Sequence, residues 1–331
     1  MKQTVQGQIG FELRRRAVAG AGVVAMLGLA GCLATPTVNP ESGWTTVAMQ
    51  GEPVKQAGGD GSRRTRIVVL PSEDAPGVPP GSRLAARATA AVEQLLGGGG
   101  VEVVDRGLAG KLDGELRVAE MRGSGAYGGP DVADYVVRVK MGSAGAESKY
   151  VQPSSFTDKK TNKVTTVPGG YSNSARSNMT IEVRSLPTLK LVNTIQVEGS
   201  VSESQQPGQG NSVALVQNAT DRGIKSKGAE VLNVFSPKGY ITERRVRKDE
   251  SIFRVQLGKG TGSKPGDTVE IWRQNSYGDE LSIGKGEMSN LVGMEGSWMV
   301  VKDKKVADQV KHGDYVKVKH GGVMDTLRNL L

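Results

Sequence analysis

The chain's single cysteine, Cys32, stands at the end of a nearly continuous apolar run, Ala17 to Ala30. That one position constrains the chain more than any other. A lone cysteine excludes an intrachain disulfide framework. With only two histidines, His312 and His320, it also leaves little from which to build a zinc site, so no metal ligands are assigned. A catalytic triad would have to be built on one of those histidines, and no convergent acid, base and nucleophile can be argued around either. The sequence therefore predicts a non-enzyme with no catalytic residues, no cofactor and no metal. The apolar run is shorter than the ~20 residues a membrane-spanning helix needs. Preceded by Lys2, Arg14, Arg15 and Arg16, it has the form of a secretory h-region behind a basic n-region.

The run ends in Leu29-Ala30-Gly31-Cys32, which resembles the lipobox of bacterial lipoproteins. Small residues at Ala30 and Gly31 let a peptidase approach, and the thiol then lies at the bilayer surface. The resemblance implies that residues 1–31 are a signal peptide and that Cys32 is lipidated and becomes the new N-terminus. Two or more acyl chains give stable anchoring. Leu33 replaces the aspartate that in this class often signals inner-membrane retention, which points to the outer membrane and its periplasmic face. The triple arginine matches a twin-arginine signal poorly, so the general secretory route is expected.

Loss of residues 1–31 removes four basic residues and Glu12, leaving a net charge of about +6. The basic residues are scattered, except for Arg244, Arg245, Arg247 and Lys248. With an address outside the cytoplasm, no nucleic-acid partner is expected. The arginine cluster reads as a solvated linker over residues 241–250.

Residues 32–64, with Pro36, Pro40, Pro53 and Gly58-Gly59, read as a flexible tether. Arg66 to Leu70, stopped by Pro71, predicts a strand buried on both faces. Leu84, Ala88, Ala91, Val92 and Leu95 predict a helix capped by Ser82. The glycine run 97–100 closes that helix and precedes a strand at Val101–Val104. It is thus a C-cap rather than a phosphate loop, which would open a helix. A second helix is marked by Leu108, Leu112 and Leu116. Strands follow at Asp134–Met141, Met179–Val183 and Leu189–Val197, and Asn211 or Ser212 caps a last long helix. The order β-α-β-α-β-β-β-α predicts an α/β mixed-sheet sandwich over residues 65–240. Residues 142–177 read as a long polar insertion without structure of its own.

The lipobox, the strand Ile67-Val68-Val69-Leu70-Pro71, that element order, the Ala133-Asp134-Tyr135 strand entry and the turn at Pro187 together resemble the CsgG family, the lipoprotein of the curli secretion channel. The resemblance covers roughly residues 62–240. It implies an outer-membrane lipoprotein, a homo-oligomer, acting as a structural or assembly component of an envelope secretion or appendage complex. Its partners would be the membrane, through the lipid anchor, and other proteins of that complex. In the channel protein, hairpins inserted at two points cross the membrane. Here residues 142–177 and 200–210 stand at those points and show only fragments of the apolar alternation a membrane strand needs. A periplasmic domain without a channel is the expectation, with a small pore assembled from single hairpins as the alternative architecture. The alternative is a lipoprotein regulator of a peptidoglycan synthase.

From Ile252 short β segments alternate with Gly-rich turns. Lys264–Trp272 and Lys311–Lys319 repeat one pattern, a Gly-Asp turn launching an alternating strand. Five such strands over residues 251–320 predict a small all-β SH3-like barrel, followed by a tail at 321–331. This stretch resembles the C-terminal domain of flagellar assembly protein T. Gly258–Lys264 is glycine-rich, but Pro265-Gly266-Asp267 leads into a strand, so a hairpin loop is expected rather than a nucleotide site. His312 and His320 are expected at the surface. Trp272 and Trp298 are expected in the core.

Overall fold

A computed structural model describes residues 35–51, 64–74, 78–79, 81–121, 126–129 and 131–321. Cys32 and the expected signal peptide lie outside the described residues. The chain is a mixed α/β protein, mostly sheet with few helices, and it contains a closed six-stranded antiparallel barrel.

Residues 64–235 build a sheet from β2 (Arg66–Leu70), β3 (Glu102–Val103), β4 (Tyr135–Val151), β7 (Gly170–Ser185) and β8 (Leu191–Gln206) in the order β3-β2-β4-β7-β8. Strand β2 runs parallel to β3 and β4, whereas β4, β7 and β8 form an antiparallel meander. Strand β2 shows why this half is layered. Ile67 and Val69 face one side, Val68 and Leu70 the other, and all four are buried. On the first side lie α1 (Leu84–Gly98), α3 (Ser212–Ser226) and α4 (Gly228–Val234). Their Leu84, Ala88, Val92, Leu96, Val216, Ile224 and Val231 meet Val137, Val139, Ile181 and Ile195 of the sheet. On the second side α2 (Arg106–Met121) presents Ala109, Leu112 and Leu116 to Val68, Leu70 and Val136. Each fully buried side chain of this size contributes roughly 1.5–3 kcal/mol, so both layers are firmly held.

Helix capping follows the sequence at α3 and departs from it at α1. The Asn211 side chain accepts from the Ala214 amide. Ser82 does not cap α1. The cap position is Arg83 in the left-handed region, and the free Ala85 amide donates instead to Asp74 Oδ1.

The polar insertion at 142–177 is corrected by the structure. It is the continuation of β4 and β7, paired from Ser143↔Asn178 to Val151↔Gly170, with a terminal hairpin of β5 (Ser154–Thr157) and β6 (Val164–Val167). A bulge at Gly142 marks where the arm leaves the body of the sheet. Small residues at every second position, Ala144 and Ala146 opposite Ser177 and Ala175, allow a helix to lie close on that face.

The second half is the barrel. Its strands are β9 (Lys238–Arg247), β10 (Glu250–Val255), β11 (Thr268–Gln274), β12 (Glu280–Val292), β13 (Ser297–Val301) and β14 (Tyr315–Val318). They run in the order β9-β10-β13-β12-β11-β14 and close by pairing β14 back onto β9. Helix α5 (Lys304–Gln309) joins β13 to β14, and Asp303 caps it. Phe253, Val255, Leu257, Val269, Ile271, Met288, Met299 and Val316 fill the interior.

The barrel therefore has one strand more than the five expected, and residues 241–250 are not a linker. They are most of β9 and its turn into β10. Arg244 and Arg245 there are largely covered, whereas Arg247 stays exposed. Gly258–Lys264 is not a hairpin loop either. It holds a short 3₁₀ turn, Lys259–Thr261, between β10 and β11, which pair with other strands and not with each other.

The tether expected over 32–64 is corrected in part as well. Residues 35–51 bind along the barrel, and β1 (Thr45–Val47) pairs with Val246, Arg245 and Arg244. Strand β14 reaches only Lys238–Tyr240 on that edge, so β1 takes the part of β9 that closure leaves open.

Candidate functional site

Two features stand out as surfaces built for contact: the strand arm and the strap that runs over the barrel. The arm consists of the outer halves of β4, β7 and β8. One of its faces is covered. Ala175 and Val201 pack against Leu215 and Ala219 of α3, with Ala146 beside them. At Gly199 the helix backbone comes so near that a Cβ would lie 1.8 Å from the Ala219 carbonyl oxygen. Buried polar groups fasten the same contact. Thr220 Oγ1 lies 2.9 Å from Ser177 Oγ and 3.0 Å from the Val216 carbonyl oxygen. Asn173 Oδ1 accepts from Ser148 Oγ and from the Gly210 amide, which pins the chain entering α3 to the arm.

The other face is polar and in water, with Glu147, Lys149, Arg176, Asn178 and Glu198 along it. The edges are open. Beyond Arg138, the last β4 residue paired with β2, β4 has no strand partner on the side away from β7, among the described residues. Among the described residues, strand β8 likewise pairs with β7 alone. Both edge strands are long, 17 and 16 residues, and neither contains a proline. They run in the same direction, because each is antiparallel to β7.

At the tip, Tyr150 and Tyr171 meet edge to face at 5.3 Å. Phe156 and Val164 are exposed on opposite faces of the terminal hairpin, since Phe156 pairs with Thr165 and Val164 with Thr157. Its turn is ordered by Asp158, whose Oδ1 accepts from the Lys160 and Thr161 amides. A two-stranded hairpin exposed on both faces is marginal alone in water and is stabilised by a neighbour.

On the barrel, cations cover aromatic rings. The guanidinium carbons of Arg247, Arg245 and Arg244 lie 4.5 Å from the Trp44 ring, 5.0 Å from Trp298 and 5.7 Å from Phe253. Arg245 also donates to the Pro40 carbonyl and to Glu243. The bond it donates to Glu243 holds its guanidinium pKa above the ordinary value. Trp298 and Trp272 are thus half-buried beneath cations rather than within the core expected for them.

Nearby, Glu280 accepts from Lys238 and Lys317, each at 2.6 Å. Those bonds hold its carboxyl down at about 2. Burial pushes the Tyr315 phenol, beneath the two lysines, well above its ordinary value. Asp314, almost wholly buried, accepts two bonds from Arg273 and one from the Lys311 amide.

The two histidines are far from any shared task. The His312 amide donates to the Gln50 carbonyl, and His320 exchanges backbone bonds with the Asn233 side chain, joining α4 to the barrel. Among the described residues no group of three or more His, Cys, Asp or Glu is placed to hold a metal. Among them, too, no helix is long and apolar enough to cross a membrane. Cys32, the single site residue expected from the sequence, lies outside the described residues.

No protein-family model matches the chain, and no curated protein matches it. Among solved structures, a hypothetical protein from Chlamydia trachomatis aligns with 51% of this chain and 98% of its own, at 9% identity and a TM-score of 0.27. A neuraminyllactose-binding hemagglutinin homolog from Helicobacter pylori aligns with 56% and 90%, at 8% identity and a TM-score of 0.30. A PelC dodecamer from Paraburkholderia phytofirmans aligns with 55% and 94%, at 9% identity and a TM-score of 0.23. Likeness at this level assigns neither a family nor an activity.

Proposed function

We propose that this chain is a non-catalytic, lipid-anchored assembly protein that self-associates through its strand arm on the periplasmic face of the outer membrane. The supporting observation is the pair of open edges. Strands β4 and β8 point the same way and, beyond Arg138 of β4, flank the arm. The β8 edge of one copy can therefore continue onto the β4 edge of the next by a rotation. Such a contact is heterologous, and it closes into a ring when the rotation divides a full turn. Open edges of this length without proline are otherwise a hazard that proteins cover.

The α/β half is read as the CsgG-type sandwich and the barrel as an enlarged relative of the SH3-like fold. Together with the lipobox, they favour a structural part in an envelope secretion or appendage complex, with the barrel free to meet a second protein. Lipidation would raise the effective concentration of every such contact at the membrane. The test is the particle size and symmetry of the purified, lipidated protein in mild detergent. A ring or a closed oligomer is expected. A monomer overturns the proposal, and a monomer that stimulates glycan polymerisation by a cell-wall synthase establishes the regulator in its place.

A further inference from the structure

The strap fixes which part of the molecule stands beside the anchor. Its first contact is with Asn290, whose amide donates to the Pro36 carbonyl and whose Oδ1 accepts from the Val38 amide. Asn290 thus holds the strap in both directions. Pro36 follows Cys32 by four residues, a stretch that spans at most ~14 Å when fully extended. Acyl groups on Cys32 therefore confine Asn290 to the neighbourhood of the bilayer surface. Leu291 and Met294 lie next to it at the β12–β13 turn, 38% and 67% exposed.

That turn is rigid. Gly293 donates to the Gly296 carbonyl, and the 3₁₀ turn braces it through Lys259 to Gly293 and Gly260 to Met294. Lys259 of the bracing turn and Glu295 of the turn itself are of opposite sign. We infer that the β12–β13 turn docks on the lipid surface, with Leu291 and Met294 as the apolar contacts, so that the barrel rather than the α/β half is the membrane-proximal module. The inference rests on the lipid anchor of the proposed function. The barrel's other exposed apolar pair, Tyr277 and Leu281, is at the far end of β12. Leu281 lies at most roughly 34 Å from Leu291 along the strand, and among the described residues neither member of the pair hydrogen-bonds to the strap.

The experiment uses the full, lipid-processed chain, in which acylation blocks Cys32 and leaves an introduced cysteine as the only free thiol. Met294→Cys and Tyr277→Cys are each labelled with a polarity-sensitive dye. The proteins are reconstituted into phosphatidylcholine vesicles carrying a nitroxide-labelled lipid. The expected result is blue-shifted, quenched emission at 294 and water-like, unquenched emission at 277, neither changed by high salt. A water-like label at 294 in protein that floats with the vesicles overturns the docking while leaving the anchor intact, and so does equal quenching at both positions. Protein that does not float, with Cys32 unmodified by mass spectrometry, overturns the anchor and the docking together.

Discussion

Gly199→Ala tests how the arm is held. Gly199 pairs with Ser177 in the β7–β8 ladder and faces α3. An added Cβ would lie 1.8 Å from the Ala219 oxygen, 2.7 Å from its carbonyl carbon and 3.0 Å from the Gly223 nitrogen. All three are backbone atoms, so no side-chain rotation relieves the clash. Ordinary contact needs about 3.5 Å, so the helix must move off the strand by more than about 1 Å. Overpacking of this kind costs about 1–3 kcal/mol, and the shift also loosens Leu215 and Ala219 from Ala175 and Val201. A loss of about 2–3 kcal/mol is expected, which at a typical urea dependence lowers the midpoint by roughly 1 M or more. Gly145→Ala is the control: it lies in the same arm, and its Cβ would meet nothing within 4 Å, so the effect should stay within about 0.5 kcal/mol. The three tryptophans, Trp44, Trp272 and Trp298, belong to the strap and the barrel. Tryptophan fluorescence thus follows the barrel half, while far-UV circular dichroism at helix wavelengths follows the α/β half. Gly199→Ala should lower the dichroism midpoint and leave the fluorescence midpoint in place. Wild-type stability in Gly199→Ala, or an equal loss in Gly145→Ala, would refute the close helix–arm contact.

Further outcomes concern the barrel and the anchor. The Glu280 carboxyl is held at about 2, below its ordinary value of 4.5, so its contribution is complete above that value and disappears as pH falls toward 2. Its side chain is one-third exposed, so after solvent screening the contribution is about 1 kcal/mol. Fluorescence-detected unfolding of wild type and Glu280→Gln should differ at pH 6 and converge near pH 2; a difference that persists at low pH contradicts the ion-pair origin. Arg273→Met leaves the Asp314 carboxylate, 1% exposed, without its main partner, and should destabilise the barrel by about 3–5 kcal/mol. An unchanged fluorescence midpoint would show the pair to be dispensable. Cys32→Ala should move the protein from the membrane to the soluble fraction, and retention after a salt wash would argue against lipid anchoring.

What the sequence made legible is what hydrophobic periodicity encodes. Ile67 to Leu70 announces a strand covered on both faces, and Leu84, Ala88 and Val92 announce the helix stripe above it, because burial there demands apolar side chains. The arm escaped because its covered face is small rather than apolar. Ala144, Ala146, Ser148 and Gly199 are chosen for closeness to α3, and a pattern in size is invisible to a pattern in hydropathy. Strand β9 escaped because Arg244, Arg245 and Arg247 look like a charged linker until the rings they lie over, Phe253, Trp298 and Trp44, are brought from elsewhere in the chain. The strap escaped because it is held largely through its backbone, by Asn290, by Arg245 and by the open edge of β9. Backbone hydrogen bonds leave almost no mark on side-chain choice.

The position of the strap changes how the two halves relate along the chain. Residues 35–51 and 238–321 belong to one unit, the barrel, and residues 64–235 are set between them. The α/β half is thus an insertion in a barrel that holds the described chain near both of its ends. Its packing clusters and the barrel's share no residue. Among the described residues, contact between the halves is narrow. Gly100 lies against Gly262, and Asn233 against His320. A side chain at either glycine would meet backbone, and both have positive φ, so this contact depends on closeness rather than on buried area. An anchor at Cys32 would therefore act on the barrel first, through a few residues and two hydrogen bonds at Asn290. Among the described residues, the arm, where self-association is proposed, would be reached through the contacts at Gly262, His320 and Gly321 and through the chain joining the halves. With the proposed anchor, that division would let the membrane hold one module while the other met its neighbours.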